Sequence, residues 1–164
     1  MRFHFFQTIL IAGFFLIATS ISNAQVPLIE AAKNQDYREI EKQLRLGADL
    51  NETHGDGSTA LHWAVYRNND SITRLLLSHG ADANATDDHG VTPLSLAALN
   101  ANPTQISLLL EAGSVVNAAR TSGETALMIA SHVGSTEVIQ LLLNAGANPN
   151  ATENSKQHTA LMMA

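Results

Sequence analysis

The chain contains no cysteine. That excludes disulfides, a thiolate nucleophile, cysteine-ligated zinc and lipid attachment through a cysteine. The absence also suits an oxidising compartment. Positive charge is scarce too, with 9 Lys and Arg against 15 Asp and Glu and a formal net charge of −6. Phosphate binding needs clustered Lys and Arg, so nucleic acid is not an expected partner. Four of the few basic residues, Lys33, Arg38, Lys42 and Arg45, alternate with Asp36, Glu39 and Glu41. That alternation reads as a solvated face and not as a binding patch.

Catalytic signatures are missing as well. There is no G-x-x-x-x-G-K loop, no nucleophile elbow and no ordered triad of Ser, His and Asp. The seven histidines include no i, i+4 pair of the kind that binds metal on a helix. The expectation is no catalytic residue, no metal site and no cofactor.

The first 24 residues differ from the rest. Arg2 precedes a short apolar run, Ile9 to Ala18, and Ser22-Asn23-Ala24 follows it. A positive start, a short hydrophobic stretch and small residues at its end describe a secretory signal peptide cleaved before Gln25. An uncleaved anchor is the competing reading, but the run is shorter than the roughly 20 residues a span requires. Residues 1–24 are therefore expected to be removed, leaving no stable membrane span. Loss of Arg2 takes the net charge of the remainder one unit below the −6 of the whole chain. The expected location is periplasmic or secreted, and the short, Lys-poor leader suits a bacterial chain.

After the leader, two phrases alternate. The first is Gly57-Ser58-Thr59-Ala60-Leu61-His62-Trp63-Ala64, then Gly90-Val91-Thr92-Pro93-Leu94-Ser95-Leu96-Ala97, then Gly123-Glu124-Thr125-Ala126-Leu127-Met128-Ile129-Ala130, with a last start at Thr159. The second runs through Leu76-Leu77-Ser78-His79-Gly80-Ala81-Asp82-Ala83-Asn84 and its counterparts, whose glycines 47, 80, 113 and 146 stand 33 residues apart. A fixed period of this size means stacked supersecondary units. Thr59, Thr92 and Thr125 sit where a helix N-cap hydroxyl is wanted, and Pro93 where a helix tolerates proline. Leu61, Ala64 and Val65 fall on one helical face, as do Leu94, Ala97 and Ala98. The second helices carry an apolar stripe, Ile72, Leu75 and Leu76 in one copy and Val138, Ile139, Leu141, Leu142 and Leu143 in another. Gly47, Gly80, Gly113 and Gly146 fit the left-handed residue that ends a helix. Asn51, Asn84, Asn117 and Asn150 read as bend residues that satisfy local backbone groups.

The two phrases and their period resemble the ankyrin repeat, over about Pro27 to Ala164. Ala replaces the family's Pro at 60, 126 and 160, Ser95 and Met128 replace its His, and Asn68 and Ala101 replace the glycine that Gly134 keeps. The resemblance implies an all-α solenoid of stacked helix-turn-helix pairs with hairpin-like loops. Its repeats would span about 27–51, 52–84, 85–117 and 118–150, with an incomplete copy over 151–164. It also implies that His62 joins a hydrogen-bond network between repeats, and that hairpin tips and first helices line a concave groove. The groove positions here are Asp56, Ser58, Tyr66, Arg67, Asp88, His89, Val91, Leu99, Asn100, Ser122, Glu124 and His132. Tyr and Arg are enriched at binding hot spots, which puts Tyr66 and Arg67 at the centre. Whether Tyr66 faces the groove or packs on its neighbour is open in the sequence, and Trp63 is expected to pack.

The implied function is an exported module that binds another protein. Alternatives are the ankyrin portion of a larger exported enzyme or effector, or an immunity or inhibitor protein whose acidity suits a basic target. The first repeat has a charged second helix that caps the stack. The fifth copy supplies only Thr159 to Ala164, so residues 152–164 are expected to fray and the natural fold to continue past Ala164.

Overall fold

A computed structural model describes residues 27–164; the signal-peptide reading lies outside the described residues. Nine helices are present among them, with no strand and a single isolated bridge between Ala119 and Thr125. They pair as α1 (Leu28–Lys33) with α2 (Tyr37–Arg45), α3 (Ala60–Tyr66) with α4 (Asp70–Ser78), α5 (Pro93–Leu99) with α6 (Pro103–Glu111) and α7 (Ala126–Val133) with α8 (Thr136–Asn144). A short α9 (Ala160–Met163) follows. First helices stack in the order α1, α3, α5, α7, α9, and the later second helices in the order α4, α6, α8. The architecture is the all-α repeat solenoid that the resemblance implies.

The first helices begin as the threonines predict. Thr59, Thr92 and Thr125 each accept a bond from the backbone N–H three residues on. At Thr59 and Thr92 the third helical residue returns the bond to the cap's own N–H, through His62 and Ser95. This closes two reciprocal capping boxes. Apolar residues of these helices, among them Leu61, Ala64, Val65, Leu94, Ala97 and Ala98, are almost wholly buried. Each alanine on that face removes side-chain bulk, which lets neighbouring first helices approach.

Two backbone positions repeat with the period. Gly47, Gly80, Gly113 and Gly146 close the second helices in the left-handed region, at φ from 78° to 94°. Between the two helices of each pair, Gln35, Asn68 and Ala101 occupy the same region at φ 56°, 56° and 51°, where Gly134 has 80°. Three of the four repeats therefore place a side chain where backbone sterics favour glycine.

Two readings need correction. The second-helix stripe is narrower in α8 than the apolar run suggests. Val138 and Leu142 are buried, whereas Leu143 is exposed. Leu110 and Leu77, one and two periods earlier, are half-buried on helices that a following second helix packs against, and no such helix follows α8 among the described residues. Three of the four recurring asparagines also act between repeats and not within their own bends. The side-chain oxygens of Asn51, Asn84 and Asn117 accept from the backbone N–H of Asp82, Val115 and Asn148 in the next copy, at 3.0, 2.7 and 2.8 Å. Asn84 and Asn117 also donate to the carbonyls of Gly113 and Gly146, both at 3.1 Å.

In the fifth copy Ala160 is buried, and Leu161 and Met162 are exposed at 84% and 68%.

Candidate functional site

Each helix pair is joined to the next by a tight loop. In the first three loops one backbone bond closes the turn over four residues, from His54 N to Ser58 O, Asp87 N to Val91 O and Arg120 N to Glu124 O. Adjacent tips are tied together by Asp88 N to Asp56 O, Thr121 N to His89 O and Asn154 N to Ser122 O. The tips thus form a row parallel to the helix stack. Gly57, Gly90 and Gly123 sit where neighbouring loops nearly touch. A β-carbon at Gly57 would lie 3.0 Å from the backbone nitrogen of Asp88, and one at Gly123 2.9 Å from that of Asn154.

The fourth loop carries one extra residue and closes over five, from Glu153 N to His158 O. Gln157 takes the left-handed conformation there, at φ 58°. Glu153 is only 5% exposed, and its carboxylate accepts from the backbone N–H groups of Ser155, Lys156 and His158. The Ser155 side chain first, and these backbone groups after it, favour the ionised form and lower the Glu153 pKa to about 2. Asp56 is lowered for a similar reason, chiefly its bond from the Ser58 hydroxyl.

Between the first loops and α3 lies a cleft of about 400 Å³, lined by Asp56, Ser58, His62, Trp63, Tyr66, Arg67, Asp87, Val91, Leu96 and Arg120. Tyr66 is 54% exposed. Its ring meets Trp63 edge-on, at 5.8 Å between centroids and 85° between planes. Trp63 itself is half-buried and donates its indole N–H to the Ser58 hydroxyl at 3.0 Å. Lys33 from α1 lies over the Trp63 ring at 4.7 Å. Tyr66 therefore both packs and is presented: its edge is fixed against Trp63 and half its surface stays open.

His62 is buried and structural. Its Nε2–H donates to the carbonyl of Val91 in the next loop at 3.0 Å, while Nδ1 accepts from Thr59 N at 3.2 Å. Acceptance at Nδ1 demands the neutral ring, and burial lowers its pKa.

The twelve groove positions are not equivalent. Asp56, Tyr66, Arg67, Asp88, His89, Leu99, Ser122 and His132 are exposed, and Val91, Asn100 and Glu124 are half-buried. Ser58 is 7% exposed, its hydroxyl spent on Asp56 and Trp63. Asn100 donates to the Val65 carbonyl at 2.6 Å, a bond between repeats. Ser58 and Asn100 thus shape the groove from behind, because the Ser58 hydroxyl and the Asn100 amide N–H are already paired. Tyr66, Leu99 and His132 are spaced by the period and form one column on the first helices. Sequence reasoning missed Leu96, Asp87 and Arg120. The period could have found them, since Leu96 is one copy on from Trp63, and Asp87 and Arg120 one and two copies on from His54. Among the described residues no group of His, Asp or Glu is arranged to hold a metal ion.

Comparison with known families agrees with this geometry. A model of ankyrin repeats in three copies matches residues 28–120, and a single ankyrin repeat matches residues 122–154. The chain is also similar to the mitochondrial disaggregase of Homo sapiens, 39% identical over 59 residues, which are 36% of this chain and 8% of that protein. The Bos taurus mitochondrial disaggregase is likewise 39% identical over 59 residues, 36% of this chain and 9% of its own length. The chain thus spans less than a tenth of these relatives, and the likeness is one of repeats. With the period, the stacked helix pairs and the linked loops all present, the chain belongs to the ankyrin-repeat family.

Proposed function

We propose that this chain is an exported, non-catalytic module that binds another protein through the loop tips and first helices. The observation that carries the reading is the exposed column Tyr66, Leu99 and His132, with Tyr66 and Leu99 at 54% and 48% exposure on an otherwise buried row of helices. Large side chains held open by a rigid stack, one of them an aromatic braced by a second ring, are the anchors that binding surfaces use. Export rests on Arg2, the apolar run and Ser22-Asn23-Ala24. No helix among the described residues is long and apolar enough to cross a membrane.

A photo-crosslinking residue at position 66, in the cell that makes the protein, tests the reading. It should yield one discrete adduct in the envelope or culture fluid. The same probe at Gln140, exposed on α8, should yield none. Replacing Tyr66 and Arg67 by Ala should weaken the partner by about 2 kcal/mol or more for each hot spot, with the melting temperature unchanged. Equal crosslinking from both positions, or adducts confined to the cytoplasm, would overturn it.

A further inference from the structure

We propose that the cleft beside α3 recognises a carboxylate side chain of the partner, an Asp or Glu presented next to an aromatic or aliphatic residue. The inference deepens the binding role proposed above and rests on it.

The argument is an inventory of unused hydrogen-bonding capacity. Arg120 reaches into the cleft from the third loop, and its Nε is buried with no acceptor. Its nearest carboxylate, Glu124, approaches a different nitrogen and only to 3.9 Å. Arg67 lines the same cleft, and its guanidinium has no hydrogen-bond or ion-pair partner among the described residues. Buried donors in native structures are almost always paired, so the wall lacks an acceptor.

The carboxylates of the cleft do not supply it. Asp56 Oδ1 already accepts from the backbone and hydroxyl of Ser58, at 3.0 and 2.6 Å. Asp87 Oδ1 accepts from His89 N and Val91 N, both at 2.8 Å. Each acid spends its Oδ1 on its own loop, while the terminal nitrogens of both guanidinium groups make no hydrogen bond among the described residues. A guanidinium fork matches a carboxylate in shape as well as charge. The aromatic floor points the same way. Lys33 already sits over the Trp63 ring at 4.7 Å, so a second cation there would meet a like charge. An apolar neighbour of the incoming acid would rest on the open part of Tyr66. The net charge of −6 gives an acidic partner no long-range steering, so recognition is short-ranged and depends on these two arginines.

Random peptides displayed on phage, selected against the full chain, provide the test. Trp63 is the only tryptophan, and its fluorescence reports binding in the cleft directly. Enriched peptides should carry Asp or Glu beside an apolar residue. Changing that acid to its amide should weaken binding at least tenfold, and Arg120→Met should do the same. Arg67→Met, at an exposed position that no fold contact uses, guards against misfolding at Arg120 and should also weaken binding.

Selection of basic or uncharged peptides, a loss under twofold on amidation, or no enrichment would overturn the proposal. Peptides that need Tyr66 but tolerate both arginine changes would sink this inference and leave the groove reading standing. Peptides indifferent to Tyr66, Arg67 and Arg120 alike would remove both.

Discussion

Ala101 offers a direct measure of how much strain this backbone carries. It sits between α5 and α6 at φ 51°, in the left-handed region. The equivalent position in the next copy is Gly134, at φ 80°, with open space where a β-carbon would be. A β-carbon in this region costs roughly 1–2 kcal/mol. Glycine gives back part of that through the greater freedom of its unfolded chain, roughly 0.5–1 kcal/mol. Ala101→Gly should therefore stabilise the protein by about 0.5–1 kcal/mol, and Gly134→Ala should destabilise it by a similar amount. For a chain of this size the melting temperature should shift by about 2–4 °C per kcal/mol.

Asn68 is the internal control. It holds the same conformation, but its side-chain oxygen also accepts from Asn102 Nδ2 at 2.7 Å. Asn68→Gly would relieve strain and lose that bond, and should be close to neutral. Urea titrations of the three variants, read by helix content, would settle the matter. Destabilisation by Ala101→Gly would show that packing of the methyl group outweighs backbone strain, and the reasoning would fail.

Two further predictions concern the bonds between copies. Burial lowers the pKa of His62 from 6.5 in a ring whose Nδ1 must stay unprotonated to accept from Thr59 N. The unfolded chain therefore takes up the proton first, and stability should fall as pH drops below about 6.5 until the folded value is reached. His62→Ser, which copies Ser95, should flatten that part of a pH–melting curve at a cost of about 1 kcal/mol for the lost bond to Val91; an unchanged slope would refute the assignment. Asn84→Ala removes bonds to Val115 N and Gly113 O and should cost about 1–2 kcal/mol. Asn150→Ala, whose side chain has no such partner among the described residues, should stay within about 0.5 kcal/mol in the same chemical denaturation.

The fold was legible because the period carries its chemistry in separate phrases. Thr59, Thr92 and Thr125 mark where helices start, and Gly47, Gly80, Gly113 and Gly146 where they stop. Each signal is local and survives in one dimension. The misreadings came from contacts that cross copies. Asn84 looks like a bend residue until the next loop is placed 31 residues on, at Val115. Ser58 looks like an exposed loop hydroxyl until Trp63 folds back onto it. Leu143 belongs to an apolar run, yet its burial depends on a neighbouring helix and not on its own sequence. The groove was legible only as a set of periodic positions. Which side chains have unspent polar atoms, as Arg67 and Arg120 do, depends on rotamers and partners that no spacing encodes.

The asparagine bonds have a consequence for how such a chain can change length. Asn84 meets the backbone at Gly113 and Val115, and Asn117 meets it at Gly146 and Asn148, so the two sets share one geometry displaced by 33 residues. Excision of residues 85–117 would bring Asn84 to the same carbonyl and amide that Asn117 now serves. Duplication of that segment would be equally seamless. The asparagine bonds thus act as standard couplings between units, so a stack that lengthens or shortens by whole copies keeps this one set of bonds at each join.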